Sequence, residues 1–281
     1  MSNFSIGAIL DSFRLPFPEA LAIAKKMGIQ GIQVHATYGA MSPENLVGQK
    51  RKDFLKLVKD NGLVISALCG DLGRGFTNPD LNPELIRRSK LILEMAKELE
   101  TNVVTTHIGV VPGSNTHPRY AIMQDACGQL AEYADQLDAH FAIETGPETS
   151  AVLRSFLDGL HSTGVSVNLD PANLVMVTGD SPIQAVHNLA PYIVHTHAKD
   201  GVMLRTPDPE VVYGLTNGSN ETEFGPAFEE VPLGQGSVPY EGYLAALKEI
   251  GYHGFLTIER EVGSNPVDDI ATAVKFLKER I

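Results

Sequence analysis

The chain has 281 residues, of which 43% are hydrophobic and 20% are charged, and its formal net charge is −12. This length allows a large core within a single α/β domain, and the acidic balance disfavours nucleic acid as a partner because its phosphate backbone is also negative. No apolar run approaches the roughly 18 residues of a membrane span, and the first residues lack the pattern of a secretory signal, so we expect a cytoplasmic protein without a membrane partner.

The two cysteines, Cys69 and Cys127, carry little functional signal. Neither belongs to a CxxC pair or lies near a histidine cluster, so they do not predict a zinc finger or a disulfide framework. A single bridge stays open as an alternative, but we expect two ordinary buried thiols.

Strand-like and helix-like segments alternate through the first half of the chain. Apolar runs typical of buried strands are Ile6–Leu10, Gly31–His35, Leu63–Leu68 and Asn102–His107. Helical periods follow them at Pro18–Met27, Ser42–Asp60, Asn82–Leu99 and Arg119–Leu137. Gly28 is typical of a helix end, and Ser42 with Pro43 is typical of a helix start.

The second half continues the same alternation. Its strand-like runs are His140–Glu144, Val165–Asp170, Tyr192–His197 and Gly254–Glu259, and its helical segments are 151–161, 181–189, 239–250 and 266–281. Eight strands and eight helices at roughly 35 residues per pair match a (β/α)₈ TIM barrel. A doubly wound open sheet usually has a glycine-rich turn after its first strand, and residues 11–16 have none. We therefore predict a single TIM-barrel domain over residues 1–281.

Residues 201–239 break this rhythm after the seventh strand. They show no clear helical period and are rich in Gly, Pro, Asn and Glu. A loop of this length in a compact domain is usually functional or mobile. We expect a loop insertion here, and a lid, a subunit contact and a plain surface insertion all stay open.

The last four strands each end on a side chain that can bind a metal, namely Glu144, Asp170, His197 and Glu259. In a TIM barrel these ends converge at the catalytic mouth. Taken singly, such residues are most often helix caps or salt-bridge partners, and Asp170 before Pro171 can simply form a turn. Together, three carboxylates would repel one another without a cation. The set predicts one divalent metal ion, with Mn²⁺ or Mg²⁺ favoured and Co²⁺ or Zn²⁺ as alternatives.

Five motifs resemble the sugar phosphate isomerase/epimerase family of xylose isomerase-like TIM barrels: AIETG (142–146), NLDPAN (168–173), VHTHAKD (194–200), VPLGQG (231–236) and LTIERE (256–261). The resemblance implies a metal held by Glu144, Asp170, His197 and Glu259. It also implies that Glu144 and Glu259 act as the catalytic acid/base pair, and that His195 is not a ligand.

The implied activity is that of a divalent-metal-dependent isomerase or epimerase of a keto-sugar, sugar phosphate or cyclitol. A carboxylate would remove a proton next to the ketone, and the metal would stabilise the resulting enediolate. The same first step also serves a lyase or dehydratase acting on a keto-sugar, keto-glycoside or inosose. An endonuclease IV-like phosphodiesterase and a non-catalytic binding barrel are less favoured alternatives.

Two positions depart from the tagatose 3-epimerase-type subfamily. Asn173 stands where those enzymes carry a histidine, and Met203 stands where they carry an arginine, with Arg205 nearby but out of register. The resemblance therefore does not extend to a ketohexose 3-epimerase. The missing histidine also counts against the three-metal site of endonuclease IV.

Further polar residues are expected at the same mouth. The substrate-binding candidates are His107, Lys199, Asn173 and His35, where Lys199 can alternatively neutralise the acids. Asp71 and Glu148 are weaker candidates, and Arg260 and Glu261 are expected to pair with neighbours. The expected partner is a small carbohydrate, with an unphosphorylated one favoured because no glycine-rich phosphate cradle is evident. A homodimer or homotetramer is also expected.

Overall fold

The computed structural model describes residues 4–216 and 225–281. Its strands are β1 (Ser5–Ile9), β2 (Gly31–His35), β3 (Val64–Cys69), β4 (Val103–Thr106), β5 (His140–Glu144), β6 (Val165–Leu169), β7 (Ile193–Ala198), β8 (Asp200–Met203), β9 (Phe228–Val231) and β10 (Phe255–Ile258). All except β8 and β9 pair in parallel and close a barrel in the order β1-β10-β7-β6-β5-β4-β3-β2. The predicted TIM barrel is confirmed.

Helices follow the barrel strands and cover the barrel. They are α1 (Phe17–Met27), α2 (Gln49–Asp60), α3 (Asn82–Glu98), α4 (Pro118–Gln136), α5 (Ser150–Asp158), α6 (Pro171–Asn173), α7 (Pro182–Leu189), α8 (Pro209–Val212), α9 (Tyr240–Glu249) and α10 (Pro266–Lys278). A π-helical turn at Leu174–Thr178 extends α6, and 3₁₀ turns lie at Leu10–Phe13 and Gly39–Met41.

The barrel strands are buried over most of their length because both of their faces are covered, by the helices outside and by packed side chains inside. All five residues of β6 are buried, for example. α1 ends at Gly28, whose φ of 79° lies in the left-handed region that favours glycine. These are the features on which the sequence prediction rested.

The predicted start of α2 at Ser42 is wrong. Residues 42–46 form only a single turn, closed by the N–H of Leu46 donating to the carbonyl of Ser42 at 2.9 Å. Gly48 then has φ 56° and ψ −120°, outside the helical region, and the helix begins at Gln49. The serine–proline pair resembles a helix start because it begins this turn, but the glycine prevents the turn from continuing.

The insertion after β7 contains more structure than its sequence pattern indicates. β8 and β9 pair in antiparallel fashion, and α8 lies between them. Residues 217–224 of the predicted loop lie outside the described residues. The extent of the insertion, about 201–239, and the assignment of residues 1–281 to one domain stay predictions.

The carboxylate of Asp200 ties the end of this insertion to the barrel. It accepts hydrogen bonds from the backbone N–H groups of Gly201, Gly234, Gly236 and Val238 at 2.9–3.1 Å. Asp200 is 1% exposed, so these charge-assisted bonds are shielded from water. The segment from β9 to α9 is thereby fixed beside β7.

The structure also shows the state of the two cysteines and the character of the helices. Cys69 and Cys127 are both free and buried, so the expected pair of thiols is confirmed. Within residues 4–216 and 225–281, no helix combines the length and the apolarity needed to cross a membrane.

Candidate active site

Four neighbouring strands of the barrel bring the predicted metal ligands together. Glu144 is the last residue of β5, Asp170 follows β6, His197 lies near the end of β7 and Glu259 follows β10. Because β5, β6, β7 and β10 are adjacent in the barrel, these side chains share one side of the mouth. One ligand atom from each lies within 4.8 Å of the others.

His197 lies at the centre of this cluster. Its Nδ1 is 3.3 Å from Oδ2 of Asp170, 3.3 Å from Oε2 of Glu259 and 3.5 Å from Oε1 of Glu144. All four side chains are buried except that of Glu259, which is 12% exposed. Three carboxylates therefore converge on one ring nitrogen in a site with little water.

Gln33 on β2 fixes the other nitrogen of the His197 ring. Its side-chain N–H donates to Oγ1 of Thr105 at 3.2 Å, which leaves its Oε1 as an acceptor 3.2 Å from Nε2 of His197. Because Nε2 donates to Gln33, Nδ1 is the nitrogen that faces the carboxylates and is available to a metal. Metal-binding histidines are commonly oriented by such a contact.

The carboxylates are also oriented by their neighbours. Oδ1 of Asp170 accepts from the backbone N–H groups of Ala172 and Asn173 at 2.8 and 2.9 Å, so that Oδ2 faces the cluster. The side-chain amides of Asn168 and Asn173 donate to the two oxygens of Glu144 at 3.0 and 3.1 Å. Asn168 also places its amide nitrogen 3.1 Å from Nε2 of His197.

Burial and charge compete within the cluster. Burial alone would raise the pKa of Glu259, but the neighbouring Lys199 and His197 charges hold it well below its usual range. Glu144 shows the same competition, and its pKa is lowered by His197 and His107. Burial prevails at Asp170 and raises its pKa.

This donor set fits a divalent metal ion. Three carboxylate oxygens and one imidazole nitrogen within 4.8 Å of one another match the oxygen-rich ligation of Mn²⁺ or Mg²⁺ and also the ligands of Zn²⁺. Burial alone would lower the pKa of His197, but Glu144 and Glu259 raise it well above its ordinary value, which places a proton on Nδ1. A divalent ion would replace that proton and neutralise the carboxylates in its place. The identity of the metal does not follow from these ligands.

Lys199 lies beside the cluster and is 4% exposed on its side chain. Its Nζ contacts Oε2 of Glu259 at 3.1 Å, Oε2 of Glu230 at 3.8 Å and the carboxylate of Glu261. Burial alone would lower the pKa of Lys199, but these acids raise it well above its ordinary value. The contacts favour the neutralising role over a free group that waits for substrate.

His107 follows β4 on the opposite side of the cluster from Lys199. Its Nδ1 lies 3.3 Å from Oδ2 of Asp71, and its Nε2 lies 3.8 Å from Oε1 of Glu144. The ring packs against Tyr213 of the insertion with 5.1 Å between centroids. Burial would lower the pKa of His107, but the charges of Glu144 and Asp71 raise it to about 9.

The remaining predicted residues are at the same mouth or just behind it. A cavity of about 1170 Å³ above the cluster is lined by His35, Asp71, His107, Asn173 and Lys199, among others. Arg260 and Glu261 pair with neighbours as expected, Arg260 with Glu230 and Asp269 and Glu261 with Lys199. Glu148 is buried and accepts from the N–H of Val111 at 3.0 Å.

His195 points away from the carboxylates. Its Nε2 lies 3.1 Å from Oε1 of Gln33 and 2.9 Å from Oγ1 of Thr257, inside the barrel. Burial, together with the charge of His197, lowers the pKa of His195 to about 3. It is therefore a neutral histidine of the barrel interior.

Four further residues of the site were not predicted from the sequence, namely Gln33, Asn168, Glu230 and Tyr213. Gln33 and Asn168 are polar residues inside apolar strand runs, which is a signal that could have identified them. Glu230 and Tyr213 belong to the insertion, where no periodic pattern indicates which side chains face the barrel.

Gly146 shows why the segment after β5 needs a glycine. Its φ is 141°, and a Cβ at this position would lie 2.5 Å from the hydroxyl oxygen of Tyr213 and 2.6 Å from Cβ of Asn173. The absence of a side chain allows Tyr213 and Asn173 to approach the strand end beside Glu144.

Comparisons with known proteins agree with this architecture. An uncharacterized protein of Methanocaldococcus jannaschii is 22% identical over 232 residues, which are 77% of this chain and 69% of that protein. The solved structure of AsbF of Bacillus anthracis, a probable 3-DHS dehydratase, superposes with a TM-score of 0.76 at 20% identity and covers 99% of this chain and 100% of that one.

A D-psicose 3-epimerase, solved in the presence of D-fructose, gives a TM-score of 0.74 at 16% identity, with 99% of each chain covered. At these identities the structural likeness shows the fold. The family described as xylose isomerase-like TIM barrel has a sequence profile that matches residues 21–280. The chain therefore belongs to the xylose isomerase-like TIM barrel family.

Proposed function

We propose that the protein is a divalent-metal-dependent isomerase or epimerase of a keto-sugar, a sugar phosphate or a cyclitol. The observation that carries this proposal is the convergence of Glu144, Asp170, His197 and Glu259 within 4.8 Å at the ends of adjacent strands. Membership of the xylose isomerase-like family supports it, as does the likeness to a D-psicose 3-epimerase.

Glu144 and Glu259 carry the proton transfer in this proposal. One carboxylate removes a proton from the carbon next to the ketone, and the other returns a proton on the opposite face or at the neighbouring carbon. Return to the same carbon gives epimerisation, and return to the neighbouring carbon gives isomerisation. When bound, the divalent ion supplies positive charge close to the substrate oxygens.

The surrounding residues orient the substrate and the two acids. Asp71 accepts from Nδ1 of His107, and Nε2 of His107 is buried without a hydrogen-bond partner in the described part of the chain. An unpaired buried nitrogen is costly, so a substrate hydroxyl or carbonyl is its natural partner. Asn173 and His35 complete the binding wall, and Lys199 keeps Glu259 ionised.

Two matched substitutions test the acid/base assignment. Glu144→Gln and Glu259→Gln should each reduce turnover of a keto-sugar by at least about 1000-fold, since general acid–base catalysis contributes 10²–10⁴-fold and metal affinity also falls. The measurement is formation of the epimer or isomer in ²H₂O, followed by NMR together with deuterium incorporation next to the ketone, with metal content determined in parallel.

Glu241→Gln, an exposed acid on α9, is the matched control and should retain full exchange. Circular dichroism should show folded protein for all three variants. Substantial formation of the epimer or isomer by Glu144→Gln or Glu259→Gln with metal bound would refute the assigned roles, whereas exchange alone can come from the carboxylate that remains.

A lyase or dehydratase is the second candidate, and the likeness to a probable 3-DHS dehydratase favours it. It begins with the same proton abstraction and then expels water or the aglycone from the next carbon. Deuterium incorporation without loss of water or aglycone supports the isomerase or epimerase, whereas release of either group during turnover supports the lyase.

An endonuclease IV-like phosphodiesterase has weaker support. Within the described ranges, a single His/Cys/Asp/Glu cluster has metal-binding geometry, and the −12 net charge opposes approach to DNA. This alternative requires more than one tightly bound metal per chain, which elemental analysis would detect.

A further inference from the structure

The active-site cavity is lined by more carboxylates than lysine and arginine side chains. Six carboxylates line it, those of Asp71, Glu144, Glu229, Glu230, Glu259 and Glu261. Among the described residues, the lysine and arginine side chains in its wall are those of Arg88, Lys199 and Arg260. Six carboxylates against three cations leave three negative charges, of which a divalent ion would offset two and a protonated His107 the third. The wall therefore has no excess positive charge that would attract an anionic substrate.

Each of these three cations already contacts a carboxylate. Arg88 contacts Glu44 at 3.0 Å, Lys199 contacts Glu259 at 3.1 Å, and Arg260 contacts Glu230 at 2.6 Å. A phosphate dianion or a carboxylate on the substrate would have to compete for them while facing the remaining acids. Because these cations are already paired, the wall favours an uncharged substrate over an anionic one.

The cavity is also larger than a single sugar requires. Its volume of about 1170 Å³ lies above the 300–1,000 Å³ typical of small-molecule sites. The candidate ligands occupy the strand ends at its base, and the loops after the strands build the wall above them. The described residues leave the upper part of the cavity open, with room for a second portion of the same substrate.

Three exposed apolar side chains lie on this upper wall, and we name Tyr38, Val212 and Val262 the apolar rim. They are 59%, 36% and 48% exposed, and in the described ranges only four other large apolar side chains are comparably exposed. All three line the cavity. They follow β2, β7 and β10, which with β1 are consecutive in the barrel, so they lie along one side of the mouth.

We propose that the site accepts a neutral keto-sugar glycoside, with the sugar at the metal cluster and an apolar or aromatic aglycone on the apolar rim. The proposal rests on the proposed function of the cluster and adds the class of substrate. An aglycone in this place removes exposed apolar surface from water and stacks on the Tyr38 ring. A neutral sugar also does not compete with the carboxylates for the paired cations.

The test compares three probes with the Mn²⁺-loaded protein: D-fructose, D-fructose 6-phosphate and 4-nitrophenyl 3-keto-glucopyranoside. Deuterium exchange next to the ketone gives kcat/KM for each, and release of 4-nitrophenol is added for the aryl keto-glycoside because its enediolate can expel the aryloxide. The phosphate ester should be at least about 100-fold poorer than D-fructose, and the aryl keto-glycoside should be the best of the three. Binding of unreactive 4-nitrophenyl glucopyranoside, followed by calorimetry, gives a readout independent of catalysis.

Substitutions then identify the surface that binds the aglycone. Tyr38→Ala should weaken binding of the aryl glucoside about tenfold and lower the preference for the aryl keto-glycoside over D-fructose by a similar factor. Val262→Ala should act in the same direction but less strongly. Val64→Ala removes a valine of similar exposure, 52%, at the start of β3, and should change neither quantity.

The outcomes separate this proposal from the proposed function. Exchange of D-fructose with no preference for the aryl compound, and no effect of Tyr38→Ala, would overturn the glycoside proposal alone. Equal or better exchange of D-fructose 6-phosphate would also overturn it. Absence of exchange with every probe, together with aryl glucoside binding that depends on Tyr38, would overturn the proposed reaction and leave the rim as a glycoside-binding surface.

Discussion

Gln33 fixes the His197 ring from β2, which is separated from β7 in the barrel by β1 and β10. Its amide is itself held by Thr105, and its oxygen accepts from both His195 and His197. One buried amide thus determines which nitrogen of His197 faces the three carboxylates.

Replacement of Gln33 by leucine should weaken metal binding without removing any ligand. Loss of a residue that orients a ligating histidine typically costs 10–100-fold in metal affinity, and we expect a reduction in that range. Calorimetric titration of metal-depleted protein with Mn²⁺ measures it. Gln129→Leu, at an exposed site on α4, is the control, and equal affinities for the two variants would contradict the positioning role.

The sequence indicates that Gln33 is a buried polar residue, but it does not identify the partners of that residue. A glutamine between Ile32 and Val34 in an apolar strand indicates a buried polar group with partners. The identity of those partners depends on which strands become neighbours in the closed barrel. His197 is more than a hundred positions away in the sequence, so its contact with Gln33 could not be predicted.

Glu148 gives a prediction about pH. Burial raises its pKa to about 8, although the Val111 N–H acts in the opposite direction, and its Oε1 has no partner among the described residues. The folded protein therefore holds this proton more tightly than the unfolded chain, whose value is near 4.5. The contribution to stability is present below pH 4.5 and is lost as the pH rises through 8.

The variant Glu148→Gln lacks this titration. Between pH 5 and pH 9 the free energy of unfolding should fall more in the wild type than in the variant, by a difference on the order of 3 kcal/mol. Urea unfolding at several pH values measures it, with Glu132→Gln on the exposed face of α4 as control. Parallel pH profiles for wild type and Glu148→Gln would show that the buried carboxyl is not protonated in the folded state.

At the scale of elements, the insertion after β7 supplies much of the cavity wall. Val212, Tyr213, Phe228 and Glu229 all come from it and line the cavity. The salt bridge of 2.5 Å between Glu210 and Arg119 joins α8 to α4. This placement favours a role at the active site over a plain surface insertion.

The Asp200 hydrogen bonds should make the insertion dependent on one side chain. Asp200→Ala leaves four backbone N–H groups without their acceptor, and hydrogen bonds to charged groups contribute about 1.5–3 kcal/mol each. We expect a loss of at least about 3 kcal/mol in the free energy of unfolding by urea. Asp208→Ala removes only the exposed cap of α8 and should cost about 1 kcal/mol.

If Asp200→Ala lowers the free energy of unfolding no more than Asp208→Ala does, the hydrogen bonds of Asp200 do not hold the segment from β9 to α9. The two segments that Asp200 joins, VHTHAKD and VPLGQG, are both recognisable motifs in the sequence. The sequence does not show that they contact each other. A glycine at position 236 allows this contact, because a Cβ there would lie 2.2 Å from Oδ1 of Asp200.

The elements that the sequence predicted best are those whose signals are local. Alternating apolar runs and helical periods are read within each segment, so every barrel strand was placed to within about two residues. The start of α2 failed because Ser42 and Pro43 support a turn and a helix equally well at the local level. The β8–β9 ribbon was missed because its pairing joins segments separated by the rest of the insertion.

At the scale of the whole molecule, closure of the barrel creates the candidate site. Glu144 and Glu259 are 115 positions apart in the sequence, and only the ring of parallel strands brings both beside His197. The rule that strand ends converge at the mouth was therefore enough to predict the cluster. The rule says nothing about the loops that form the upper wall. The charged lining and the apolar rim could therefore be identified only from the structure.

The most direct test of this account is a titration of metal-depleted protein with Mn²⁺, comparing the wild type, Asp170→Asn and the exposed Asp268→Asn on α10. We predict one ion per chain for the wild type and Asp268→Asn, with at least about 100-fold weaker binding for Asp170→Asn. A concentration of 100 times Kd should stabilise the wild type by about 2.7 kcal/mol. No saturable binding, or binding that is unchanged in Asp170→Asn, would contradict the claim that the four strand ends hold a divalent ion.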